Sequence, residues 1–506
     1  MKRNVIGKYQ YLIGKIRLRK SCSGRLRFLP AAAALTVSLS ACAGDAPEQS
    51  NLPDVQTGIV SEETDSEEDA ARGTAEGGAN GEESSGSGLR LLYELGKEGC
   101  NTREGYYYLT KELEKLDDGN YGIHLMYMDF ATQQEIYLCS SAGCSHNTAD
   151  CPAVFLYEDF PPHTSPLFVH GDGLYILSKE MDSDGGMSTS VSYFGDAEGL
   201  MPGNADIGEN STILYRMNLD GTQREKIHTF DPSLTLEDYV MADENGIYVI
   251  AKKLSTERDG QDAYVTSSQR RLLYLDLGTG EEREVCGLDL GGNISWQLAG
   301  CYGRSLVMEG TDYGREISRE EMLDDNVWRD LYLNSEEIFA VFDLDSRQLT
   351  EKYRMPNRND SSALAEGNQL YISDEGEGVL KAVDLRDGSE RILCRQENDF
   401  FRIWYIIGDK LCCKNKDTDA TFYYVDIHTG EISHSALVNK SLGWSLEFRA
   451  VLDSEVLVIY DCEALPSELN EDAYDILQYK YALISKEDLF SGNANYRPIQ
   501  MTGNGM

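Results

Sequence analysis

Three thiols and one imidazole fall within thirteen residues of this chain, as Cys139, Cys144, His146 and Cys151 in the spacing C-x4-C-x-H-x4-C. Thiolate sulfur and imidazole nitrogen are the donors of tetrahedral Zn²⁺, so a single loop could wrap all four around one structural zinc ion. A second reading of the same residues is disulfide bonding, because the chain opens with export features and Cys100 would supply a fourth thiol. In either case the cluster staples a loop that lacks a core of its own. A catalytic zinc needs an open coordination position and a general base beside it, and neither is legible here. His163 and His170 lie close in sequence and read as ordinary loop and strand histidines. Cys286, Cys301, Cys394, Cys412, Cys413 and Cys462 fall mostly on apolar strand positions and read as small core residues.

Other chemistry is sparse. Asp182-Ser183-Asp184-Gly185 and Asp374-Glu375-Gly376-Glu377 offer partial Ca²⁺ ligand sets, but neither completes a twelve-residue loop with a terminal Glu, and both read as turns. The chain has no G-x-S-x-G elbow, no H-E-x-x-H, no phosphate-binding loop and no G-x-G-x-x-G after a strand. No catalytic residue is therefore assigned. The formal net charge of −40 leaves no basic stripe to displace counterions from a phosphate backbone, which excludes nucleic acid as a partner. Tyrosines such as Tyr106, Tyr107, Tyr108, Tyr423 and Tyr424, with Trp296, Trp328, Trp404 and Trp444, offer stacking surfaces for sugar and equally serve blade packing.

Nine Lys or Arg precede the first acid, Asp45, and an apolar run, Phe28–Ala41, follows them. That run is short for a membrane span and has the proportions of a signal-peptide core. It ends Leu39-Ser40-Ala41-Cys42, small residues before a Cys, which predicts a signal peptide over 1–41 and lipid attachment (palmitate among the acyl groups) at Cys42. Residues 42–88 read as a disordered acidic Gly/Ser tether, with twelve acids against the single base Arg72. The folded domain is 89–506.

That domain must be built from a recurring phrase. Arg271–Gly287 shows it best: an apolar strand ending at Asp276, a turn at Gly278-Thr279-Gly280-Glu281, and a second strand. The phrase returns at Asp129, Asn218, Asp343, Asp384 and Asp426, with a degraded copy near Tyr479–Lys486. A second hairpin precedes each copy. Four antiparallel strands per unit, repeated at 97–140, 160–231, 238–287, 295–355, 361–396, 401–437 and 446–501, predict an all-β β-propeller of seven four-stranded blades, six or eight being the alternatives. Leu89–Leu95 is a spare strand expected to lock the ring by joining the first or last blade. With strands A to D counted outward, the A–B turns are all tight, as are the C–D turns of the first six units. The long connections are B–C: Thr110–Gly122, Lys179–Ser211, Ala251–Gln269, Glu309–Glu336 and Cys462–Leu477. Helices are expected from Ser318 to about Asp330 and from Ser467 through Leu477. One face is therefore loop-rich, and binding usually sits on such a face.

The lipobox-like end at Cys42, the Cys/His cluster and the repeat together resemble uncharacterised propeller-type lipoproteins of Gram-positive anaerobes. That resemblance implies a lipid-anchored extracytoplasmic protein and no particular activity. Two functions are expected on these grounds. One is a membrane-anchored binding or scaffold module that meets a surface ligand (glycan, peptide or protein) on its loop-rich face. The other is an extracellular hydrolase or lyase acting on glycans, with carboxylates in the propeller funnel. A funnel plugged by apolar side chains would favour the first.

Overall fold

The computed structural model describes residues 88–502, apart from 95, 111–112, 157–164, 180–211, 260–262, 289, 291–293, 318–320, 322–324, 358–360, 375, 396–400, 416–419 and 467–473. Seven antiparallel sheets follow one another along the chain and close into a seven-bladed β-propeller. Blade five is the plainest: Ser362–Glu366, Gln369–Asp374, Val379–Asp384 and Glu390–Arg395, each strand paired to the next. Except in blade three, the first strand of each blade is innermost, and most of these strands meet those of neighbouring blades around the axis. Apolar residues from facing sheets interlock between blades. Phe168, Leu214, Val249 and Leu273 fill one such layer, and Tyr371, Leu380, Leu411 and Val425 fill another.

The recurring Asp is explained by its turn. Asp276 Oδ1 accepts the backbone N–H groups of Gly278 (3.0 Å) and Thr279 (2.8 Å), and Asp426 Oδ1 accepts those of His428 and Thr429. The carboxylate thus satisfies donors that the reversing chain cannot pair with backbone. The last turn position is left-handed, with φ of 72° at Gly280 and 74° at Gly430. Each turn also leans on the outer strand of the preceding blade. A Cβ on Gly430 would sit 2.0 Å from the Leu393 carbonyl oxygen, so this glycine is required by close approach as well as by φ. Blade four places Arg347 in the same left-handed position (φ 58°), and its guanidinium donates to the Val285 carbonyl of blade three.

Closure joins blade seven to blade one. Gln500 N donates to Gln133 O, and Glu135 N donates to Gln500 O. Glu135 is buried; its carboxylate accepts the Tyr108 hydroxyl and both the backbone N–H (2.9 Å) and the hydroxyl (2.7 Å) of Thr502.

The spare strand does not do this work. Arg90–Glu94 pairs antiparallel with the inner strand of blade three, Leu234–Ala242, with Arg90 opposite Ala242 and Glu94 opposite Tyr239. It is the axial strand of blade three and takes that blade's place in the ring of inner strands, against those of blade two and blade four. A bulge at Leu92 divides its side chains. Leu89 and Leu91 pack between blades three and four, while Leu92 and Tyr93 pack between blades two and three. The expectation of a first- or last-blade lock fails because the outer edge of blade seven is already taken by Arg497–Pro498 and the free edge lies at the axis.

The long connections do collect on one face, although several are β-ribbons rather than loops. Gly246–Asp259 and Ala263–Asp276 stay paired out to Asp259 and Ala263. Glu455–Pro466 and Tyr474–Ser485 pair out to Pro466 and Tyr474, so Tyr474–Leu477 is strand where a helix was expected. Pairing between the two extended strands satisfies the backbone there without a helix. The blade-four connection does carry a helix, Asp325–Leu333, ending past the expected Asp330. Ser318, Ser467 and most of Lys179–Ser211 lie outside the described residues, as do Cys42 and the whole of 1–87. On the opposite face, the described connections are tight apart from the helix Lys486–Ser491 of blade seven.

Candidate metal centre

The predicted ligands converge. One donor atom from each of Cys139, Cys144, His146 and Cys151 lies within 4.8 Å of the others, and His146 Nδ1 is 3.4 Å from Cys151 Sγ. A tetrahedral zinc with bonds of about 2.3 Å sets its ligands about 3.7 Å apart, so closure on one ion needs movements of about 1 Å. The group can hold a metal ion, and four protein donors would leave it no open position for a substrate.

The loop that carries them hangs from blade one. Tyr121–Asp129 serves two sheets: Leu125–Asp129 pairs within the blade, while Gly122–His124 pairs with Val154–Leu156. The cluster lies between these anchors. Short backbone turns shape it, with Cys144 N donating to Ser141 O and Cys151 N to Thr148 O. Asn147 Nδ2 donates to Asp117 at 2.7 Å, tying the loop to the preceding connection. Cys151, Ala153, Val154 and Leu116 are fully buried and form a small core of their own, which Cys139 and Cys144 flank. Arg224 of blade two closes the far side, donating to Val154 O at 2.9 Å and stacking on Phe155.

Burial and the mutual contacts of the thiols set the electrostatics of the cluster. Burial, followed by hydrogen bonding with Cys144 and Cys139, pushes the Cys151 thiol up to about 12. Burial also opposes ionisation of Cys139, but hydrogen bonds from Ser141 and from the two other thiols outweigh it and hold that thiol below its ordinary value. Burial and the neighbouring His124 lower the His146 value, keeping its imidazole neutral, the form that donates a lone pair. A divalent ion reverses the mutual repulsion of such thiolates.

Cys100 is not a member. It is buried on the inner strand of blade one with Tyr107, Leu109 and Ile123. All ten described cysteines are free thiols, and Cys286, Cys412, Cys413 and Cys462 are buried as expected. His163 and Asp182–Gly185 lie outside the described residues. His170 ends the inner strand of blade two, its Nδ1 accepting from Arg90 at 2.9 Å. Asp374 caps a turn through Gly376 N and Glu377 N, and the Lys381 ammonium sits 3.0 Å from Glu377 and 3.9 Å from Asp374, where a cation would lie. His124 was missed by spacing alone, being separated from the cluster by a strand. It is 1% exposed, and its Nε2 donates to the His146 carbonyl at 2.7 Å.

No family model matches the chain, and no curated protein matches it. Among solved structures, a puromycin hydrolase is similar at 13% identity and a TM-score of 0.42, over 81% of this chain and 53% of that one. TolB from Acinetobacter baumannii is similar at 14% identity and a TM-score of 0.28, over 78% and 79%. An oligogalacturonate lyase in complex with manganese is similar at 11% identity and a TM-score of 0.29, over 65% and 73%. The chain spans about half the length of the hydrolase. At these identities none of them transfers an activity.

Proposed function

We propose that this chain is a lipid-anchored extracytoplasmic binding module. Its acyl group sits on Cys42, its propeller presents the loop-rich face away from the membrane, and a structural zinc ion at Cys139, Cys144, His146 and Cys151 holds the crossover from blade one to blade two.

The observation that carries this reading is the axial strand Arg90–Glu94. Leu89 N donates to Gly303 O, in the tight A–B turn of blade four, so the chain enters the ring from the tight-turn face. It then runs along blade three to Glu94 and reverses into the inner strand of blade one, Gly99–Asn101. A tether that arrives at one face leaves the other facing outward. A donor set of three thiols and one neutral imidazole suits zinc among the common divalent ions.

Detergent phase partitioning of the wild-type chain and a Cys42→Ala variant tests the anchor. The wild type is expected in the detergent phase and the variant in the aqueous phase; equal partitioning overturns the anchor. Elemental analysis of the purified chain should return one equivalent of zinc, which Cys144→Ser loses. A ligand on the outer face, sought with glycan and peptide arrays, is expected to be insensitive to changes in the tight turns.

A further inference from the structure

A metal centre at the four clustered residues leaves one buried neighbour unexplained, and a role for that neighbour rests on the metal-centre reading. His124 belongs to the third strand of blade one, is 1% exposed, and has no role in the core, which elsewhere on that strand is built from Ile123, Leu125 and Met128. A polar ring in such a place costs stability unless its nitrogens are used. One is used: a carbonyl can only accept, so Nε2 carries the proton donated to His146 O at 2.7 Å. The other, Nδ1, has no hydrogen-bond partner, with Glu114 Oε1 3.8 Å away.

His146 has a matching peculiarity. Its backbone is left-handed (φ 56°), a conformation unfavourable for a residue with a Cβ. That conformation turns Nδ1 toward Cys151 Sγ. Tyr137 fixes the ring from the side, stacked on His146 at 4.5 Å and edge-on to His124 at 4.9 Å. The strand position of His124 is itself set by pairing with Val154, three residues beyond Cys151. Two of the four ligands are thereby referred to a single position on the blade, Cys151 through Val154 and His146 through the His124 hydrogen bond.

We infer that His124 is the positioning residue of the metal centre: through its Nε2–H bond to the His146 carbonyl it holds that ligand in the left-handed conformation that aims Nδ1 at the thiols. It acts on the ion only through His146. The geometry also predicts which replacement is tolerated. A glutamine amide reaches the position of Nε2 and donates there, whereas leucine fills the space without a donor.

The test is Co²⁺ binding to the full chain extracted in detergent, read from the thiolate-to-cobalt and d–d absorption bands and by competition with a chelator. His124→Leu is expected to weaken affinity roughly 10- to 100-fold, the usual effect of losing a ligand's supporting partner, and to alter the d–d bands. His124→Gln is expected to stay near wild type in both. Circular dichroism of the metal-free variants shows whether each folds. Wild-type affinity and bands in a folded His124→Leu variant overturn the inference and leave the metal centre standing. Equal weakening by Gln and Leu also overturns it, since packing and not the donor would then be at work. No Co²⁺ uptake by the wild-type chain overturns both this inference and the zinc reading.

Discussion

On the tight-turn face, the turns at Gly280 and Gly430 reverse the chain with one carboxylate, one left-handed glycine and contact with the neighbouring blade. On the opposite face, the loop from Cys139 to Cys151 reverses with almost no repeated feature and depends on side chains brought from three separate segments. The first kind of turn is determined by its own few residues. The second is determined by what it leans on and, on the proposed reading, by a bound ion. Stability on the tight-turn face should therefore fail locally at single backbone positions, and stability on the loop-rich face should fail when the ion or its supports are removed.

The largest effect expected is at Gly430. Gly430→Ala forces a Cβ to within 2.0 Å of the Leu393 carbonyl oxygen in a left-handed backbone, and should cost more than about 3 kcal/mol in chemical denaturation. Gly280→Ala meets its nearest atom, Ile227 O, at 3.6 Å, and should cost only the left-handed penalty of about 1–2 kcal/mol. Equal costs would show that blade contact plays no part in these turns.

The loop-rich face should respond to metal instead. Cys151→Ser, or chelation of the wild type, should expose the segment between Cys139 and Cys151 to protease while the blades keep their cooperative melting transition. The cluster's small core is separate from the layers between blades, so its opening is a local event. If the whole propeller melts on chelation, the two faces are not independent and the contrast fails.

A smaller effect tests the seat of the axial strand Arg90–Glu94. Burial and then the Arg90 guanidinium lower the His170 value, against weaker raising by Asp243 and a hydrogen bond with the Glu244 backbone. A histidine whose folded value is depressed contributes stability that is complete above its unfolded value of about 6.5 and is lost as pH falls below it. The wild type should therefore melt lower at about pH 5.5 than at about pH 7.5, and His170→Asn should narrow that difference. An unchanged difference would mean that the Arg90–His170 contact does not help to seat the strand.

The same contrast separates what was legible in the residues from what was not. The repeat was legible because Asp276, Asp343, Asp384 and Asp426 act within their own turns, so spacing alone gave seven blades and their order. That Cys139, Cys144, His146 and Cys151 come together was legible because they are close in sequence. His124 was not, because its partner is 22 residues away across a strand. The seat of Leu89–Leu95 was not legible either, because any open strand edge can accept a strand, and only the closed ring shows that the edge available is at the axis. Tyr474–Leu477 was misassigned to a helix for a similar reason: its pairing partner, the end of the preceding strand, decides its conformation.

The smallest expected effect separates the turn chemistry from the contacts that decorate it. Gln133 and Arg347 both occupy the left-handed position that glycine fills at Gly280, with φ of 57° and 58°. Gln133 contributes its backbone carbonyl to Gln500, a bond that glycine keeps. Gln133→Gly should therefore relieve strain and raise stability by about 0.5–1 kcal/mol, after allowing for glycine's greater freedom in the unfolded chain. Arg347→Gly relieves the same strain but loses the guanidinium bond to Val285 O at 3.1 Å, so its net change should be close to zero. The difference between the two, measured by denaturant titration in one buffer, isolates the inter-blade hydrogen bond from the turn itself. Equal gains would mean that the Arg347–Val285 bond contributes nothing measurable to the contact between blades three and four.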